Sequence, residues 1–92
     1  MSVKVKISRY FFKGWANESV VAEVSGNTVR QCLKHLLKQF PVIEKEIFDE
    51  DGEIAVVARI FINGESAFPE ELAKPVSDGD TIDIIPMAIS GG

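Results

Sequence analysis

The chain has 92 residues, 46% of them hydrophobic and 26% charged, the composition of one ordinary globular domain and not of a disordered segment. Ten lysines and arginines against fourteen acids give a net charge of -4 with no basic cluster, which argues against nucleic acid and anionic membrane surfaces as partners. A single cysteine excludes an internal disulfide framework and fits a reducing cytoplasm, and no apolar run approaches the roughly 18 residues that span a bilayer.

Val3, Val5 and Ile7 alternate with Lys4, Lys6 and Ser8, the period of a strand with one buried face. Met1 to Ile7 holds no continuous apolar segment of the kind that directs export. Tyr10, Phe11 and Phe12 break the alternation, and Lys13 to Asn17 offers a turn into a second strand, Val20 to Val24. Two of those three aromatic rings are expected in the core, whereas Trp15 fits a core edge and a partner contact equally well.

Thr28 with Gln31 three residues later has the spacing of a capping box. Val29, Cys32, Leu33, Leu36, Leu37 and Phe40 then form one apolar helical stripe, which Pro41 ends. Val42 to Asp49 suggests a short irregular helix carrying Ile43, Ile47 and Phe48, followed by an exposed acidic turn from Asp49 to Glu53. Ile54 to Ile62 is rich in β-branched residues and reads as a third strand, closed by the turn dipeptide Asn63-Gly64. Ala67 to Val76, with two prolines, reads as a loop with one short turn. Asp78-Gly79-Asp80 turns the chain into a last strand, Thr81 to Ile85.

The order strand, strand, helix, strand, strand predicts an α+β domain: a mixed sheet of about four strands with one main helix on one face, the β-grasp architecture. The last strand can then lie beside the first. A ferredoxin-like fold would require a second full helix, which the sequence lacks. Residues 1–86 are expected to form this domain and residues 87–92 a flexible tail.

Few side chains suggest chemistry. Cys32 falls within the apolar stripe and reads as a buried, inert thiol. His35 lies on the polar side of the helix with no second histidine to share a metal or a catalytic triad. Asp49, Asp51 and Glu53 lack the further ligands of a calcium loop and read as a solvated turn. No metal and no bound cofactor is expected. If Ile60, Ile62 and Ile84 face the helix, then Val57, Phe61 and Ile85 point from the opposite sheet face, where an apolar patch marks a docking surface.

The final two residues, Gly91 and Gly92, call for a reason, because with glycine at roughly 7% of residues a chance pair has odds of about 1 in 200. Lacking Cβ atoms, they can lie extended in a channel too narrow for other residues. Met87, Ala88, Ile89, Ser90, Gly91 and Gly92 together reach about 20 Å when extended, enough to enter another protein's active site.

In sum, Val3 to Ile7, Thr28-Val29, Phe61 to Glu65, Asp78 to Ile82, Ile84-Ile85-Pro86 and the closing Gly91-Gly92 resemble the ubiquitin-like sulfur carriers, a family that includes the small subunit of molybdopterin synthase and the thiamine and cysteine-pathway carriers. One departure is that four residues stand between Pro86 and Gly91, where family tails usually have three. The resemblance implies a carrier, not an enzyme. An adenylating enzyme of the ubiquitin-activating type would use ATP to join the Gly92 carboxylate to AMP, and sulfur would then replace AMP to give a thiocarboxylate. The length is most like that of the molybdopterin synthase small subunit, whose partner is the large synthase subunit. Thiamine or cysteine biosynthesis, a modifier conjugated to lysines through Gly92, and a β-grasp binding domain with an inert tail are the alternatives.

Overall fold

The computed structural model describes residues 2–12 and 18–86. The expected alternation resolves into strand β1, Val3–Ile7, with its three aliphatic residues buried and its two lysines exposed. β1 pairs antiparallel with β2, Val20–Val24, so that Val3 lies opposite Val24 and Ile7 opposite Val20. Between them a 3-10 turn at Arg9–Phe12 buries Phe11 and Phe12 and leaves Tyr10 exposed, the two-of-three division expected.

Helix α1 spans Val29–Gln39. The Thr28 hydroxyl accepts from Gln31 N at 3.2 Å, while the Gln31 side chain accepts from Asn27 N at 2.7 Å, so the cap reaches one residue further back than the usual box. The chain enters the helix so tightly that a Cβ on Gly26 would stand 2.9 Å from Cys32 N. Val29, Cys32, Leu33 and Leu36 are buried against the sheet. After Phe40 a 3-10 turn at Pro41–Ile43 leads into α2, Glu44–Ile47, a single turn that buries Ile47 beside Ile43.

The third strand, β3, is shorter than expected: Ala58–Ile62, not Ile54 to Ile62. The Asp49 carboxylate accepts from the amides of Asp51 and Glu53, closing a turn that brings Ile54 back to bridge Phe48. A second turn, in which Ala58 N donates to Ala55 O at 3.0 Å, then aims the chain into the sheet. Val56, at the tip, is 84% exposed despite its β-branched side chain.

A fifth strand, β4, Glu65–Ser66, adds one more than the four expected. Two residues are too few for alternation to register. What makes the strand is the turn before it, where Asn63 at φ 52° and Gly64 at φ 88° supply the two left-handed conformations of a tight hairpin. A 3-10 turn at Glu71–Ala73 follows, and β5, Thr81–Pro86, completes the sheet.

The sheet order is β2-β1-β5-β3-β4, with β5 parallel to β1 and antiparallel to β3. The last strand therefore lies at the centre, beside the first. With α1 across one face, this is the β-grasp fold. Ile82 and Ile84 of β5 point into the core with Val5, Ile7 and Ile60, and burial of each such side chain contributes about 1.5 to 3 kcal/mol.

Candidate functional site: the open sheet face and the exit of β5

Because side chains alternate, the residues of β5 that are not in the core, Thr81, Asp83 and Ile85, lie on the face away from α1. Register continues that face across all five strands. Lys6 stands opposite both Val21 and Asp83, and Phe61 stands opposite both Asp83 and Ser66. One row thus reads Val21, Lys6, Asp83, Phe61, Ser66. In the next row Ile85 faces Arg59, whose guanidinium lies 5.6 Å from the centre of the Phe68 ring.

This open face is mixed in character. Val21, Phe68 and Ile85 expose much of their apolar surface, Phe61 is half-buried, and Lys6, Asp83 and Arg59 stand among them. A shallow depression of about 450 Å³ lies between Lys6, Ser8, Ser19, Phe61 and Ile85. Apolar anchors set among charges of both signs are a usual make-up of a specific protein-docking surface.

One end of the sheet is where β5 leaves it. Ser8 N donates to Ile84 O at 3.0 Å, extending the β1 ladder to the strand's end, and Pro86 lies opposite Ala58 on the other side. Proline has no amide hydrogen with which to continue a ladder. The other end is locked by the Asp78–Asp80 turn. Gly79 N donates to Ser2 O at 2.8 Å, Ser2 N to Asp78 Oδ1 at 2.6 Å, and Lys4 N to Asp80 O at 3.0 Å. Asp80 also accepts from the Asn63 side chain and from Ser77 N, and these bonds, the first being the stronger influence, hold its carboxyl below the ordinary carboxylate range.

Of the side chains expected to form a docking surface, Phe61 and Ile85 do share the open face, and Ile60, Ile62 and Ile84 face the helix. Val57 does not join them. It precedes β3, in the turn closed on Ala55, and lines a groove on the helical side instead. Trp15 and the tail, Met87 to Gly92, lie outside the described residues. Lys6, Asp83, Arg59 and Phe68 were missed, although alternation from Phe61 and Ile85 would have found Arg59 and Asp83.

The remaining side chains serve structure. Cys32 is fully buried, and desolvation pushes its thiol pKa up. His35 Nδ1 accepts from Ser25 N at 2.9 Å, tying the helix to the end of β2. Among the described residues no group of three or more His, Cys, Asp or Glu could hold a metal, and no helix is long and apolar enough to cross a membrane.

A five-stranded β-grasp sheet whose central last strand leads to a Gly-Gly sequence defines the class: a ubiquitin-like protein of the sulfur-carrier and modifier group. The particular family follows from the sequence itself. The chain belongs to the ThiS family, whose pattern matches residues 10–92. SAMP1 from Haloferax volcanii is similar at 28% identity, covering 100% of both chains with a TM-score of 0.77. A chain of the BexX/CysO complex from Amycolatopsis orientalis is 28% identical over 96% of this chain and 99% of that one, with a TM-score of 0.70. The molybdopterin-converting factor complex from Helicobacter pylori shares the fold at 21% identity, over 99% of this chain and 100% of that one, with a TM-score of 0.59. No curated protein matches.

Proposed function

We propose that the chain is a sulfur carrier whose reactive group is the Gly92 carboxyl. The observation that carries this reading is the position of β5. It is hydrogen-bonded on both sides at the centre of the sheet, and it delivers Pro86 at the sheet end, six residues before Gly92. The segment that follows therefore starts from a rigid point.

A terminal carboxylate, with a pKa of about 3.3 to 3.7, is an anion at neutral pH and a poor electrophile. An adenylating enzyme of the ubiquitin-activating type converts it to an acyl adenylate, consuming ATP and releasing pyrophosphate. A persulfide sulfur then attacks the carbonyl and AMP leaves. A second thiol cleaves the resulting acyl disulfide, freeing the thiocarboxylate and forming a disulfide between the two thiols. Gly91 leaves the path to the carbonyl open, and Met87 to Ser90 thread the partner's channel. The adenylating enzyme grips the open face, with Phe61 and Ile85 as apolar anchors and Lys6 and Asp83 fixing register. The chain supplies no catalytic side chain and holds no cofactor, and it works in the cytoplasm.

The acceptor expected from chain length is the large subunit of molybdopterin synthase, but only a fold likeness supports it. The likeness to CysO, at higher identity, keeps other acceptor enzymes in play. A second reading, conjugation of Gly92 to lysines, is favoured by the likeness to a small archaeal modifier over the whole of both chains. Intact and tail-fragment mass spectrometry of the protein from its native host separates them. Sulfur in place of one oxygen at Gly92 supports the carrier. Conjugates of higher mass, lost on deletion of Gly92, support the modifier. Neither species, even after incubation with an adenylating enzyme, ATP and a persulfide source, overturns both.

A further inference from the structure

An open sheet ends in two edges, and each edge carries backbone groups that no neighbouring strand uses. One edge here is β4, a strand of only two residues. The other is β2, and the ladder beside it shows which of its groups point outward. Lys4 N and Ser8 N donate toward β5, to Asp80 O and Ile84 O. Val3, Val5 and Ile7 therefore direct their groups at β2, and their partners Val24, Ala22 and Val20 answer them. Val21 and Glu23, the residues between, turn both N–H and C=O away from the sheet, and Ser19 continues the series.

α1 closes part of this edge. The Gln39 side chain donates to Glu23 O at 3.1 Å, and Ser25 N donates to His35 Nδ1 at 2.9 Å. Among the described residues no such bond meets Val21 N, Val21 O or Glu23 N. Val20–Val24 also lacks the lysine or proline that usually blunts an edge, and Val21 leaves 58% of its surface exposed there.

We propose that this edge pairs antiparallel with the same edge of a second copy, about a two-fold axis between the two Val21 residues. The caps from α1 set the register: with Ser25 N and Glu23 O engaged, the free stretch runs from Ser19 to Glu23, and Val21 is its midpoint. That stretch complements itself, as a two-fold contact requires. The two Val21 residues exchange N–H and C=O bonds, and each Glu23 N donates to Ser19 O of the other copy, all without disturbing the Gln39 bond. On the open face the hydroxyl of Ser19, which lines the depression beside Lys6 and Ile85, falls next to the Glu23 carboxylate. On the helical side Val20 lies opposite Ala22. No like charges are directly opposed, so the sequence of β2 is its own best-matched partner strand.

The joined edge leaves the docking face free. Ile85 of β5 lies two strands in, roughly 10 Å at about 4.8 Å per strand, and Phe61 of β3 lies one strand further. The two-fold axis reverses strand direction, so the two Pro86 residues stand at opposite ends of the joined sheet and each exit meets its own enzyme. That consequence rests on the carrier reading. The pairing itself does not.

An interface this short belongs to the weak, transient class, under about 1,200 Å². The test is therefore sedimentation and NMR of the full isotope-labelled chain over about a hundredfold range of concentration reaching about 1 mM. Pairing predicts a mass that rises toward the dimer while the Val21 and Glu23 amide signals shift and their exchange slows. A mixture of labelled and unlabelled chains should show cross-relaxation between Val21 methyls of different copies. Val21→Lys should weaken association tenfold or more with little change in melting temperature, since the Val21 side chain is exposed. Val21→Pro, which removes only an outward-facing donor, should do the same. A monomer at every concentration, with a Val21 amide that neither shifts nor slows, would overturn the proposal. Association that survives both variants would place the contact elsewhere and overturn it too. So would Val21 and Glu23 shifts that arise only on adding an adenylating enzyme, which would make that enzyme the occupant. None of these outcomes depends on activation of Gly92, so the pairing and the carrier reading fail separately.

Discussion

The side-chain amide of Asn63 donates to Asp80 Oδ1 at 3.1 Å, joining the β3–β4 turn to the turn that launches β5 across seventeen residues of sequence. The same side chain accepts from Thr81 N at 3.0 Å, and Asn63 N donates to Thr81 O at 2.8 Å. A residue chosen for its left-handed backbone thus also aligns the strand that carries the tail. Asn63→Ala loses both side-chain bonds and strains the turn, and should cost about 1 to 3 kcal/mol in denaturant unfolding. Asn63→Gly keeps the turn conformation and should cost less than Asn63→Ala.

Asp80 gives this junction a pH dependence of known sign. Its folded-state pKa is depressed, by the Asn63 bond first and the Ser77 amide second. The stability it contributes is therefore present above the unfolded value of about 3.9 and is lost as pH falls through the folded one. Thermal melts from neutral to acid pH should show the unmodified chain losing its margin over Asp80→Asn in that acid window. A margin that grew toward low pH would contradict the assignment.

Gly26 is held by close approach and not by its backbone angle. A methyl group there would press on Cys32 N and Gln31 Cβ, both at 2.9 Å, so Gly26→Ala should shift the start of α1 and destabilise by about 1 to 3 kcal/mol. Leu36→Ala, which opens a cavity under α1, should cost about 2 to 5 kcal/mol. Equilibrium unfolding of both variants checks the ranking.

Cys32 should be protected. Buried and held protonated, it should react with a thiol-specific reagent only at the rate of unfolding, and fully in denaturant. Rapid labelling of the native protein would show the α1 stripe to be open.

For the open face, Ile85→Glu should weaken docking of an adenylating enzyme by tenfold or more, the cost of charging an apolar anchor, while the melting temperature changes little. Binding measured by calorimetry, beside a melt of the same sample, distinguishes lost docking from lost folding.

How much of this was readable from the residues depends on which force shapes each part. β1, β2, α1 and β5 each bury one face, and burial leaves a period in the sequence. Ile54 to Val57 resembles a strand in composition, yet its path is set by the Asp49 carboxylate binding the amides of Asp51 and Glu53, a polar event that leaves no period. β4 owes its existence to two left-handed residues in the preceding turn. Alternation continued from Phe61 through Arg59 reaches Val57, but the turn closed between Ala55 and Ala58 interrupts it, so β3 starts later and Val57 lines the helical side. The rows that unite Lys6, Asp83 and Phe61 depend on strand order, which only the fold supplies.

The pairing of first strand with last also bears on when the protein becomes usable. Val5 and Ile82 meet across the parallel ladder, so the centre of the sheet cannot close until nearly the whole chain has been synthesised. Such non-local closure is slow and must precede any reward from packing. A nascent chain that stops short of β5 therefore lacks the strand that joins the β1–β2 hairpin to the β3–β4 hairpin. Termination before β5 thus removes the closed sheet along with the Gly-Gly end.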